Sequence, residues 1–235
     1  MKRPARRSGA AALALAATLA VAAPARAVSV VALSGVDVSA YSLYGYFGGI
    51  ATINDDPSRS GPLVRLWWDR LTYHFAAAPG RVDASSVGES ASVGWQQAYP
   101  SGMISGYAGV DERETSLSPG IPSRTAGAQT GGRYELDLDQ RLCSAWRLDG
   151  IGSFVTGTKD YWARGQALYA LGGGVSAGPE AIWMGNPDYD ADRFGVTLVG
   201  IPVYKSVKAG LEVGYAKTVN LPGGAYGSVG LAASF

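Results

Sequence analysis

The feature that most constrains this chain is strict period-two alternation, repeated in short stretches. It is clearest at the C-terminal end, where Val229, Leu231, Ala233 and Phe235 share one parity and Ser228, Gly230, Ala232 and Ser234 the other. In Arg133–Asp139, Tyr134, Leu136 and Leu138 oppose Arg133, Glu135, Asp137 and Asp139. From Lys208 to Ala216, Ala209, Leu211, Val213 and Tyr215 oppose Lys208, Gly210, Glu212, Gly214 and Ala216. Tyr161–Leu171 sets Tyr161, Ala163, Ala167, Tyr169 and Leu171 against Arg164 and Gln166, and Arg193–Thr197 repeats the pattern. A stripe of this period is a β-strand with one apolar face.

The first 27 residues read differently. Lys2, Arg3, Arg6 and Arg7 precede an apolar run from Gly9 to about Ala23, and Ala25-Arg26-Ala27 supplies a small-x-small cleavage site. This is the three-part pattern of a secretory signal, with export and a mature chain starting near Val28. The run is short of the roughly 20 apolar residues of a spanning helix. Val28, not a cysteine, stands directly after the cleavage point, so no lipoprotein anchor is expected. Loss of five basic residues leaves fifteen against nineteen acidic ones, a net charge of −4. That balance argues against a nucleic-acid partner, which requires clustered positive charge. The single Cys143 excludes an intramolecular disulfide and reads as a small hydrophobe, not a nucleophile.

No apolar run in residues 28–235 approaches 18 residues, which excludes a helical membrane protein. The segment instead holds 32 of the 33 glycines and all 24 aromatic residues. Alternation alone does not separate a soluble sandwich from a barrel, because the two exchange inside and outside. Three features favour the barrel. Tyr41, Trp95, Tyr99, Tyr161, Trp162, Trp183 and Tyr204 fall near strand ends, as interfacial girdles do. Small residues on the polar face leave lumen space, and the chain runs as hairpins without helical periodicity. Turn chemistry at Asn54–Gly61, Pro79-Gly80, Pro100–Gly102, Gly185–Asp188 and Leu221–Gly224, with a long polar loop at Glu114–Gly127, divides the segment. The expected fold is all-β: one domain over 28–235, an antiparallel transmembrane β-barrel of about 12 strands. Ten strands is the alternative, because Gln140–Ser144 must turn without Gly, Pro, Asn or Asp. Phe235 is the expected barrel-closing residue.

Three segments carry a resemblance: Gly61–Trp68, Tyr107–Glu114 followed by Leu117–Gly120, and Gly178–Glu180 followed by Asp192–Gly195. In this order the chain, from about Leu33 to Phe235, resembles the cellulose biosynthesis protein BcsS family. The resemblance implies an outer-membrane barrel associated with cellulose production or secretion. It carries over no catalytic residues.

The chemistry-bearing residues fit a barrel interior. Arg65, Asp69, Arg133, Glu135, Asp137, Arg147, Asp149, Arg164, Glu180, Arg193 and Glu212 are expected to form a lumen-facing charge network, pairing between neighbouring strands. Glu135, Asp137 and Asp139 have a spacing compatible with paired-carboxylate glycoside chemistry, but same-face charges in a barrel more often pair with arginines. His74, the only histidine, could serve a hydrolase with Ser85, Ser86 or Asp83 nearby, although a strand-end histidine more often sits at the rim. One His and one Cys give no metal-ligand spacing. Gly131-Gly132 and Gly172–Gly174 are bends or bulges and not phosphate cradles, since no helix follows. A saccharide pore would line its lumen with aromatic rings, but most aromatics of the alternating stretches fall on the apolar side. Trp67, sharing parity with Arg65 and Asp69, is the clearest inward candidate, and this scarcity favours a largely closed barrel over a polymer pore.

The expected function is a non-enzymatic outer-membrane barrel without cofactor, assisting cellulose biosynthesis or export. Its expected partners are outer-membrane lipid, the barrel assembly machinery, and cellulose secretion components or cellulose. A small channel for oligosaccharides or other anionic solutes is one alternative, and a lipid or glycan hydrolase using His74 is the other.

Overall fold

A computed structural model describes residues 28–235 apart from 55, 57, 78, 79 and 220. Residues 1–27, read above as the export signal, lie outside the described residues. The alternating stretches become twelve strands: β1 (Ser29–Ser39), β2 (Ser42–Thr52), β3 (Gly61–Ala77), β4 (Gly80–Tyr99), β5 (Gly102–Ser118), β6 (Gly127–Arg141), β7 (Trp146–Val155), β8 (Tyr161–Gly172), β9 (Val175–Asn186), β10 (Tyr189–Tyr204), β11 (Val207–Thr218) and β12 (Gly224–Ser234). Each pairs antiparallel with its sequence neighbours, and β1 pairs with β12 to close the barrel. Closure removes both open edges, which hydrocarbon cannot solvate. Phe235 takes part in it. Its N–H donates to the Val30 carbonyl at 2.9 Å, and the Val30 N–H donates to its carbonyl at 3.3 Å.

The two parities separate as the alternation requires. Tyr134, Leu136, Phe194, Val196, Leu211 and Val213 lie exposed on the outer wall, while Glu135, Arg193 and Glu212 turn inward. The outer wall is thus an apolar belt fit for lipid. Trp162 departs from the girdle expected of it: it shares the inward parity, and the Arg164 guanidinium sits 5.7 Å from its ring.

The connection 142–145 does turn without Gly, Pro, Asn or Asp, held by Leu142 and Cys143 N–H groups donating to the Trp146 carbonyl. The turn at Gly172–Gly174 is a hairpin whose three glycines have φ of +100°, +61° and +82°, conformations that L side chains avoid. Gly131-Gly132 is not a bulge, since both run in unbroken register with β5. The long polar loop is shorter than expected. β5 continues to Ser118, because Thr115 and Leu117 still face inward after Glu112 and Glu114 have left the apolar belt.

Strand length breaks the barrel's symmetry. β3, β4 and β5 have 17, 20 and 17 residues, against 10 to 12 in β1, β2, β7, β8, β9, β11 and β12. A tilted strand spans hydrocarbon in about 9–11 residues, so β3–β5 project beyond the belt at the end opposite the termini. Their inner face there carries Tyr73, Phe75, Val82 and Ala84, a buried apolar cluster on which Leu117, Ile121 and Tyr189 pack.

Candidate functional site: the barrel lumen

The interior divides into two walls. On the wall of β3–β6 the charges are dry. Arg65 on β3 pairs with Glu135 on β6, spanning two intervening strands, and both side chains are below 10% exposed. Arg113 on β5 forks onto both oxygens of Asp69, at 2.9 Å each. It also approaches Asp111 at 3.7 Å and Asp160 at 3.5 Å. Arg133 joins Glu135 at 3.1 Å and Asp111 at 3.6 Å. A second dry pair, Arg193 with Asp37 at 2.6 Å, links β10 to β1. Charges this deep persist only when paired and hydrogen-bonded.

On the wall of β6–β8 and β11 water reaches the charges. Asp139 pairs with Arg147 at 3.2 Å, with side chains 30% and 41% exposed. Arg164 bridges Asp149 at 3.3 Å and Glu212 at 3.4 Å. Asp137 takes part in no ion pair among the described residues, and its Oδ1 is buried without a hydrogen-bond partner. Glu180, expected in the ion-pair network, instead accepts from neutral donors, Gln166 at 2.5 Å and Tyr226 at 3.1 Å.

Thus the eleven charges named from sequence all line the interior, but their pairing crosses the lumen more than it follows adjacent strands. Arg65–Glu135, Asp69–Arg113, Arg164–Glu212 and Arg193–Asp37 all join non-adjacent strands. Sequence reading missed Asp37, Asp111 and Arg113. The signal was available, because Tyr107, Gly109, Asp111, Arg113 and Thr115 share one parity. It was masked by Glu112 and Glu114 on the other.

Aromatic rings add a second layer. Besides Trp67, the inward positions include Tyr44, Tyr46, Tyr73, Phe75, Tyr107 and Tyr226. Several lie against glycine on a neighbouring strand. Trp67 fills the space a side chain at Gly48 would take, and Tyr46 lies where Gly35 lacks one, at 2.6 Å. A Cβ at Gly94 would meet the Tyr107 ring at 2.7 Å, and one at Gly214 would meet the Tyr226 ring at 2.6 Å. Tyr46 stacks on Trp67 at 4.9 Å, and the Arg65 guanidinium covers that indole at 4.4 Å. These faces are occupied by protein, so they form packing and not an open rail for sugar rings.

His74 points outward. Its ring meets Tyr41 edge-on at 5.1 Å. Asp83, its cross-strand partner, is engaged by Arg81 at 2.8 Å. No nucleophile is brought to it by a hydrogen bond among the described residues. No group of His, Cys, Asp or Glu among the described residues has the geometry of a metal site. Cys143 lies exposed on the 142–145 turn, not buried as a small hydrophobe would be.

With the twelve-stranded wall and its charged interior in view, comparison with known families is decisive. A profile of the cellulose biosynthesis protein BcsS family matches residues 31–235, nearly the whole described chain. The chain belongs to the BcsS family. The fold is that of outer-membrane barrels. Similar solved structures include the KdgM porin, at 11% identity and TM-score 0.50, covering 87% of this chain and 99% of that one. The translocator domain of the autotransporter NalP from Neisseria meningitidis has 12% identity and TM-score 0.52, covering 96% of each chain. A TodX deltaS2S3 mutant monoaromatic hydrocarbon channel has 8% identity and TM-score 0.53, covering 97% of this chain and 94% of that one. At these identities the likeness concerns fold alone. No curated protein matches the chain.

Proposed function

We propose that this BcsS-family barrel is a non-catalytic outer-membrane component that assists export or surface attachment of cellulose without conducting the polymer. It acts as a scaffold for the secretion machinery, reaching the outer membrane through the barrel assembly machinery after cleavage near Ala27. The observation that carries this reading is the pairing of Arg65 with Glu135 across the lumen, backed by the Arg113–Asp69 fork. A glucan chain would have to displace charges that have no water to replace their partners. Family membership supplies the link to cellulose.

Deleting the gene is expected to lower exported cellulose, or loosen its attachment to cells, while glucose polymerisation in membranes persists. Normal cellulose display together with lost uptake of a small anionic sugar would overturn the proposal and favour a solute channel. A hydrolase reading has less support, since His74 faces outward against Tyr41.

A further inference from the structure

We propose that the projecting end of the barrel carries a saccharide site that takes a short segment of neutral glucan at the cell surface. In outer-membrane barrels short turns face the periplasm and longer extensions face the exterior. The end at which β3–β5 project is therefore the cell-surface end. Two ties cross the mouth of the barrel there. The connection 119–126, between β5 and β6, reaches past β7 and β8 to the connection between β9 and β10. Ser123 and Thr125 both donate to Asp188 Oδ2 at 2.5 Å. From β3, the Tyr73 ring meets that of Tyr189 on β10 at 5.4 Å.

Between these two connections lies a depression of about 460 Å³, lined by Pro122, Ser123, Arg124, Pro187 and Asp188. Small-ligand sites run to about 300–1,000 Å³. Its charged groups are one of each sign. Arg124 is exposed, and its guanidinium has no partner among the described residues. Asp188 gives Oδ2 to the two hydroxyls, and its Oδ1 accepts from no donor among the described residues. A free fork of donors and a free carboxylate oxygen suit the hydroxyls of a sugar, each of which both donates and accepts. Asp188 would repel an anion and Arg124 a cation, so the pair selects an uncharged ligand. Pro122 and Pro187, both exposed, offer rigid apolar surfaces to the C–H faces of sugar rings.

The walls are fixed before a ligand arrives. Asn186 Oδ1 accepts from the Asp188 and Tyr189 N–H groups, at 2.9 and 3.0 Å. The Thr125 N–H donates to Ser123 Oγ at 3.0 Å, and Ile121 and Tyr189 pack on the apolar cluster. Binding therefore has little ordering left to do. The uncharged, hydroxyl-rich ligand follows from the lining; the choice of glucan rests on the cellulose reading above.

Isothermal titration of the purified, folded barrel with cellohexaose, a soluble β-1,4-glucan, tests this. Saturable binding is expected, and a galacturonate oligomer of similar length should bind several-fold more weakly because its carboxylates meet Asp188. Arg124→Ala removes a side chain without a partner in the protein. It should weaken cellohexaose several-fold while heat-dependent gel migration remains that of a folded barrel. In a Cys143→Ser, Pro122→Cys variant, cellohexaose should slow maleimide modification of the new thiol several-fold. The site is overturned if cellohexaose gives no saturable binding, if the galacturonate oligomer binds as tightly, if folded Arg124→Ala binds like the parent, or if position 122 is not protected. The cellulose reading is judged separately, by cellulose display in the deletion strain, so the failure of one is not the failure of the other.

Discussion

The β3–β6 wall and the β7–β12 wall are built from the same alternation, yet they enclose different interiors. In the first, long strands bring Arg65, Asp69, Asp111, Arg113, Arg133 and Glu135 into a dry, cross-lumen network capped by the Tyr73–Phe75 cluster. In the second, Arg147, Asp149 and Arg164, together with Asp139 of β6, stay within reach of water, while Arg193 with Asp37 keeps a dry pair. The lesson is that alternation fixes which face a residue takes, while strand length and neighbouring bulk decide how much its charge matters. Where partners are dry, each holds the other in place. Where water competes, the pair is nearly optional.

That contrast can be broken by mutation, with stability read from urea unfolding of the bilayer-inserted barrel. Glu135→Ala should have the largest effect, about 3–5 kcal/mol, because it leaves Arg65 buried and uncompensated. A loss no larger than that of Arg147→Ala would erase the difference between the walls. On the outside the walls should behave alike. Val93→Arg on β4 and Leu211→Arg on β11 should each cost about 2–4 kcal/mol if both face the hydrocarbon. Tolerance at either site would show that the belt is incomplete there. Gly48→Val should cost about 1–3 kcal/mol by driving a side chain into Trp67. Gly152→Val, where nothing lies within 4 Å, should be close to neutral. Equal costs at the two glycines would remove the ring-on-glycine packing from the account. Arg147→Ala should have the smallest effect, under about 1 kcal/mol, as expected for a half-exposed pair.

The fold was largely legible because a period of two survives wherever one face meets lipid and the other a polar lumen. The inward set from Arg65 to Glu212 follows from parity, whereas the choice of twelve strands over ten hung on the turn after Gln140, which carries no Gly, Pro, Asn or Asp to announce it. Three things do not follow from parity. Arg113 and Asp111 were hidden because β5 runs past the belt, where Glu112 and Glu114 make both faces charged. The inward rings of Tyr46, Tyr107 and Tyr226 were hidden because a glycine on an adjacent strand, not a local pattern, makes their place. And Arg65 finding Glu135 three strands away depends on the curvature of the closed wall, which pairwise reading along the chain does not contain.

The central claim, one dry wall and one wet wall in a single lumen, is tested most directly by thiol labelling. In a Cys143→Ser background, which removes the exposed native thiol, single Ser→Cys changes at positions 86, 92, 153 and 228 place four near-isosteric probes on the inner face. Ser86 and Ser92 are 3% and 6% exposed, whereas Ser153 and Ser228 are partly open. The account predicts that a small charged thiol reagent modifies positions 153 and 228 in the folded barrel and reaches 86 and 92 only after urea unfolding. Equal labelling of all four in the folded state would contradict it.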